Sequence, residues 1–247
     1  MSEVAKSHVE RFSFVRHAIL KITTGSSSFD YLLGGSLPTS CITDVFGAAG
    51  TGKTQFCFQN AVTTCQFLET HGEKGIKAVF VDCTGSFRPE RIVEIAENRS
   101  INSKRVLESI YSISVRSASS QIQVNKRFEE DLTFSHCRLL IIDDITSNFV
   151  SDFSKENEIP ARQRALSLYA RDLAYIANRR GISVLLSNSI RSRGDFGEGE
   201  TTGEVLSAYS LFRVYFSRVD RRRYAELIQP SLDGKKIDFE IGPSGIA

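Results

Sequence analysis

The sequence predicts an α/β domain built on a mostly parallel sheet, flanked by helices on both faces and closed by a C-terminal antiparallel extension. Three observations carry this. Apolar runs of strand length alternate with stretches of helical periodicity. The runs Ala78-Val79-Phe80-Val81 and Leu139-Leu140-Ile141-Ile142 are continuously apolar, as strands buried on both faces are. Beyond about Leu211 the pattern changes to short strand-like segments joined by turns.

The 247 residues suit one large domain with a substantial core. Residues 1–20 are charged and weakly periodic and read as an arm or helix, with the core domain at 21–247. A net charge of +2 is too small to mark the whole surface as nucleic-acid binding, so any basic site is local. The five cysteines lack metal spacing and sit mostly in apolar stretches, which favours a reducing compartment over a disulfide framework. The start lacks the apolar core of a signal peptide, and no run reaches membrane-spanning length. The expected location is cytoplasmic, at the nucleoid in an archaeon and in the nucleus of a eukaryote.

In order, Ser26 to Gly34 reads as a capped short helix with a glycine stop. Cys41 to Phe46 is a strand, and a helix runs from about Lys53 to Leu68. After the strand Ala78–Asp82, Pro89 stands at a first helical position. Tyr111, Ile113 and Val115 alternate with serines as in a strand, and Ile122, Phe128 and Leu132 mark a further helix. The Leu139–Ile142 strand ends in Asp143 and Asp144. A polar loop is expected at 148–160, a helix from about Ala161 to Arg179, and a strand at Ile182–Leu186. A mobile Gly-, Arg- and Glu-rich loop at 189–203 precedes strands at 211–216, 224–228 and 237–241, with turns at Asp220 and at Asp233-Gly234.

The chemistry lies at the end of the Cys41 strand. Gly47-Ala48-Ala49-Gly50-Thr51-Gly52-Lys53-Thr54 matches G-x-x-x-x-G-K-[ST] between a strand and a helix, the context a phosphate-binding P-loop requires. Its glycines let backbone N–H groups crowd a polyphosphate, and the helix aims its positive end at the anion. Lys53 is placed to reach the β- and γ-phosphates, and the Thr54 hydroxyl to ligate Mg²⁺. The expected cofactors are ATP and Mg²⁺. Asp143, ending a buried strand, is the expected second holder of Mg²⁺. Asp144 is either a solvated carboxylate or, if the chain bends there, the group that polarises the attacking water. Arg191 and Arg193 in the glycine-rich loop, with Lys155 and Arg221-Arg222-Arg223, are candidates for contact with DNA, set against a merely solvated basic face.

The chain resembles the archaeal and eukaryotic branch of the RecA-like recombinases, meaning RadA and shorter paralogues such as RadB. The resemblance rests on Ile22-Thr23-Thr24-Gly25-Ser26, Leu32-Leu33-Gly34-Gly35, Ile42-Thr43-Asp44-Val45-Phe46-Gly47, Gly52-Lys53-Thr54-Gln55, Phe87-Arg88-Pro89-Glu90-Arg91, Leu140-Ile141-Ile142-Asp143 and Ala161-Arg162-Gln163. It covers roughly residue 12 to the end. It implies a RecA-type ATPase core, ATP held between subunits, Gln55 and Arg91 at the nucleotide (Arg91 packing on adenine), and DNA-facing loops at about 148–160 and 189–203. The implied partners are single-stranded DNA and a recombinase filament or another RadA paralogue.

The departures shape the functional expectation. Only about twenty residues precede the core, without a clear Phe-x-x-Ala polymerisation motif. Where the family reads Asp-Thr-Glu-Gly, this chain reads Asp82-Cys83-Thr84-Gly85, so Thr84 replaces the water-activating glutamate. The family's Asn-Gln after a later strand is Asn188-Ser189. These imply an accessory paralogue in recombination and repair that binds ATP and hydrolyses it weakly or not at all. The alternatives are a DNA-stimulated ATPase using Asp144 as base and a KaiC-like signalling ATPase, the latter disfavoured by the Phe87–Arg91 block.

Overall fold

The computed structural model describes residues 21–247 apart from 73, 193–197, 201–202 and 231–233. The expected arm at 1–20 lies outside the described residues. The chain runs β1 (Lys21–Ile22), α1 (Ser27–Leu32), β2 (Leu37–Pro38), β3 (Cys41–Gly47), α2 (Lys53–Thr70), β4 (Ala78–Asp82), α3 (Pro89–Asn98), α4 (Ser103–Glu108) and β5 (Ile110–Ser114). It continues α5 (Ala118–Glu130), β6 (Leu139–Asp143), α6 (Ser147–Asp152), α7 (Ile159–Arg180), β7 (Ser183–Ser192), β8 (Glu198–Glu200), α8 (Gly203–Ser207), β9 (Ser210–Val219), β10 (Arg222–Gln229), β11 (Lys236–Phe239), β12 (Ile241–Gly242) and β13 (Gly245–Ile246).

One sheet has the strand order β11-β10-β9-β3-β7-β6-β4-β5, with β8 paired to β7. Strands β9, β3, β7, β6, β4 and β5 are mutually parallel, while β9, β10 and β11 are antiparallel. The predicted architecture is therefore present. Every residue of β4 and of β6 is buried, which is why both read as unbroken apolar runs. Residues of α1, α2 and α3 pack on one face of the sheet and those of α5, α6 and α7 on the other. Strand β3 lies between parallel neighbours β7 and β9, so the P-loop leaves the sheet at its centre, at the carboxyl ends of the strands.

Two devices hold the antiparallel end against the P-loop region. Phe29 contacts Phe56 of α2 at 4.7 Å between ring centroids and Phe239 of β11 at 5.2 Å, and Phe216 of β9 meets Phe239 at 5.3 Å. Such pairs add about 0.5–1.5 kcal/mol each beyond their buried area. Beside them, Asp44 and Arg213 are paired across β3 and β9, with Arg213 Nε 3.1 Å from Asp44 Oδ2. The guanidinium also lies 4.5 Å from the centre of the Phe46 ring. The Asp44 side chain is fully buried. Replacing Asp44→Ala is expected to lower unfolding stability by about 3–5 kcal/mol, because the arginine charge loses its buried carboxylate. Urea unfolding reads this directly, and a loss below about 1 kcal/mol contradicts it.

The structure departs from expectation at several places. Residues 148–160 are not a polar loop: α6 and a 3₁₀ turn (Glu156–Glu158) occupy them, and α7 begins at Ile159 with Pro160 in its first turn. The polar composition misleads because Asn148 and Phe149 are buried, and Asp152 Oδ2 accepts the Ala118 N–H at 2.7 Å. Strand β7 runs on to Ser192 and pairs Ile190–Ser192 with Glu198–Glu200, so part of the expected mobile loop is a ladder. Helix α5 ends at Glu130, and Leu132 is 85 % exposed rather than core. Helix α4, capped by the Asn102 side chain, is additional. The expected strand 237–241 is broken at Glu240, because Ile241–Gly242 turns away to pair with Gly245–Ile246. Ser26 occupies the N-cap of α1 without a capping side-chain bond.

Candidate nucleotide site

The site is a cleft of about 730 Å³ at the carboxyl ends of the parallel strands, within the size range of small-ligand pockets. Its lining comes from the P-loop (Ala49, Gly50, Gly52, Lys53, Thr54, Gln55), the ends of β6 and β7, and β12. Gly47, Ala48 and Thr51, also expected at the cofactor, act beneath it. A Cβ on Gly47 would stand 2.0 Å from the Phe216 carbonyl oxygen, so only glycine lets β3 and β9 approach this closely. Thr51 is buried and donates to the Ala48 carbonyl at 2.9 Å, bracing the loop from below.

Gly52 caps α2 with φ +115°, a left-handed conformation that suits glycine, and no side chain caps the helix. The first-turn N–H groups and the positive helix end therefore face the cleft as an anion site. The Lys53 ammonium donates to the carbonyls of Gly47 at 2.7 Å and Ala48 at 2.8 Å. Burial lowers its pKa, opposed by the carboxylates of Asp144 and Asp143.

The two metal candidates, Thr54 and Asp143, are in contact. Thr54 Oγ1 lies 3.0 and 3.2 Å from the two oxygens of Asp143. Two further hydroxyls donate to the same carboxylate, Ser86 Oγ at 2.9 Å and Ser187 Oγ. Burial pushes the Asp143 carboxyl above its ordinary pKa, Ser187, Ser86 and Thr54 hold it down by hydrogen bonding, and Asp144 adds to the rise. Among the described residues no group of three or more His, Cys, Asp or Glu could cage a metal alone. One carboxylate and one hydroxyl suit Mg²⁺ better, since that ion keeps waters and takes phosphate oxygens. The donor set thus fits Mg²⁺ carried by a nucleoside triphosphate, which would be held by Thr54 and Asp143 and whose charge it would neutralise.

Asp144 also lines the cleft, just past the end of β6 and across a cis peptide. Its Oδ1 accepts the Thr146 N–H at 3.0 Å and the Thr146 hydroxyl at 2.9 Å. Thr84 stands exposed at the rim. Its loop is held by Asp82, whose Oδ1 accepts the N–H groups of Thr84, Gly85 and Ser86 and whose Oδ2 accepts that of Phe87.

Arg91 forms the opposite wall. Its guanidinium donates to Gln55 Oε1 at 2.7 Å, Glu94 at 2.6 Å, the Gly242 carbonyl at 2.7 Å and the Pro243 carbonyl at 3.1 Å. It ties the C-terminal hairpin to α2 and α3 while lining the cleft. Arg191 pairs with Gly199 in the β7–β8 ladder, but its side chain and the whole of Arg193 lie outside the described residues. The sequence reading missed Ser86, Ser187 and Asp82 as site residues, and Arg223, which lines the cleft from β10.

A P-loop at the centre of a parallel sheet, with a threonine and a strand-end aspartate in contact, defines a RecA-type core. The chain matches the Rad51 family model over residues 15–247 and belongs to that family, within the archaeal and eukaryotic branch of RecA-like recombinases. It is 34 % identical over 237 residues to the DNA repair and recombination protein RadA of Cenarchaeum symbiosum, covering 94 % of this chain and 59 % of that protein. It is 32 % identical over 239 residues to RadA of Metallosphaera sedula, covering 94 % and 73 % respectively. It is 31 % identical over 240 residues to the DNA repair protein RAD51 of Mycosarcoma maydis, covering 94 % and 70 %. Thus the chain spans 59 % of the Cenarchaeum protein's length. Among the described residues no helix is long and apolar enough to cross a membrane.

Proposed function

We propose that this chain is an accessory, RadB-like RadA paralogue that binds Mg·ATP, turns it over slowly or not at all, and serves recombinational DNA repair. One observation carries the reading. The phosphate and metal elements are assembled in the cleft, yet the rim position that resembles the family's catalytic glutamate is Thr84, which cannot act as a carboxylate base. Loss of a general base costs about 10²–10⁴ in rate. Single-stranded DNA, met by Arg191 and Arg193, and a recombinase filament or a second paralogue are its partners. The experiment is ATP binding and turnover, each with and without single-stranded DNA. Tight binding with negligible turnover supports the reading, and turnover of about one per second or more, ordinary for an enzyme, rejects it.

Thr84→Glu tests the cause. Because Asp82 already fixes this loop through its amides, a glutamate enters a prepared position. Turnover is expected to rise about 10²-fold. An unchanged rate shows that more than the base is missing.

A second reading, a DNA-stimulated ATPase using Asp144 as base, is favoured by the place of Asp144 in the cleft. Against it, one carboxylate oxygen is already held by Thr146. DNA-stimulated turnover that disappears in Asp144→Ala selects this reading over the first.

A further inference from the structure

The inference rests on reading the cleft as a polyphosphate site. Three basic side chains line it: Lys53, Arg91 and Arg223. Two are committed, Lys53 to the Gly47 and Ala48 carbonyls and Arg91 to Gln55, Glu94, Gly242 and Pro243. Among the described residues Arg223 has neither a hydrogen bond nor an ion pair through its side chain, and its Nε is sealed from solvent without an acceptor. A guanidinium N–H left in that state costs free energy, and an anionic acceptor entering the cleft would remove the cost.

The register explains how the side chain arrives there. Arg223 pairs with Arg218 of β9 and Phe239 of β11. Arg218 lies two residues beyond Phe216, the β9 partner of Gly47. Arg223 therefore stands at the level of the P-loop tip. Ala225 and Leu227, which share its strand face, are buried. Arg221 lies in the turn before β10, and strand alternation separates Arg222 from Arg223: Arg221 and Arg222 are exposed, while Arg223 is half-buried and lines the cleft.

We propose that Arg223 binds the phosphate tail of the nucleotide, supplied by the same chain that carries the P-loop. A guanidinium is planar and always charged, and it grips phosphate oxygens through paired N–H donors. This function removes Arg223 from the basic cluster available to DNA.

The test is calorimetry of Mg·ADP and Mg·ATP at several KCl concentrations, on the unchanged chain and on Arg223→Gln, Arg223→Lys and Arg222→Gln. Arg223→Gln is expected to weaken both nucleotides about tenfold or more, the cost of one charged hydrogen-bond pair, and to flatten the salt dependence. Arg223→Lys keeps the charge but loses the paired donors, so it is expected to bind more tightly than Arg223→Gln and more weakly than the unchanged chain, with the salt slope unchanged. Arg222→Gln changes nothing. Equal affinity in Arg223→Gln overturns the proposal, as does a loss with the original salt slope, which marks a packing role. Should Arg223→Gln fail to fold, Arg223→Lys decides: an affinity equal to that of the unchanged chain overturns the proposal, because lysine lacks the paired donors. If the unchanged chain binds neither nucleotide, the polyphosphate reading itself falls, an outcome distinct from a defect confined to the Arg223 variants.

Discussion

Lys53→Met is expected to abolish Mg·ATP binding while leaving the fold intact. The ammonium is the only side-chain cation among the described residues that the P-loop itself supplies. When a triphosphate enters, that charge is the one positioned to leave two carbonyls for phosphate oxygens. Its loss removes a charged hydrogen-bond donor and also leaves Asp143 and Asp144 without the cation that opposes their charge. The affinity loss should be at least about 10²-fold, since charged hydrogen bonds contribute about 1.5–3 kcal/mol each and more than one is lost. The stability change should be small, because methionine is about as long as the lysine stem and buries no charge. Calorimetry and thermal melting without nucleotide separate the two effects. A variant that still shifts its melting temperature with Mg·ATP as the unchanged chain does excludes the P-loop as the binding site.

The second large effect is structural. Gly47→Ala places a methyl group 2.0 Å from the Phe216 carbonyl oxygen, and backbone on both sides leaves no flexible side chain to yield. Strands β3 and β9 must part, and they carry both the Asp44–Arg213 pair and the aromatic contacts of Phe216. A cost of about 3 kcal/mol or more is expected, the upper range for single substitutions with a backbone clash. Nucleotide affinity should fall with it, because the P-loop begins at this residue. Denaturant unfolding of the purified variant decides, and a midpoint equal to that of the unchanged chain refutes the packing argument.

The parts legible in the sequence are those encoded locally. A P-loop is contiguous, so its residues and its helix could be read directly. Asp143 was legible because a wholly apolar strand announced its end. Ser86 and Ser187 were not, because a lone hydroxyl has no pattern, and only the parallel register of β4, β6 and β7 brings them to one carboxylate. Arg223 was hidden in a run of like residues, where composition suggested a surface cluster and strand alternation placed one member inside. The 148–160 segment read as polar because its anchors, Asn148 and Phe149, are defined by what they touch: Gln121 and Tyr169 on other helices.

Arg91 and Gly242, joined in one wall of the cleft, are 151 residues apart in the chain. During synthesis the P-loop therefore leaves the ribosome long before its far wall exists. A chain truncated before residue 241 should keep the P-loop yet bind ATP more weakly, because the wall that Arg91 and Gly242 form together is then missing one side.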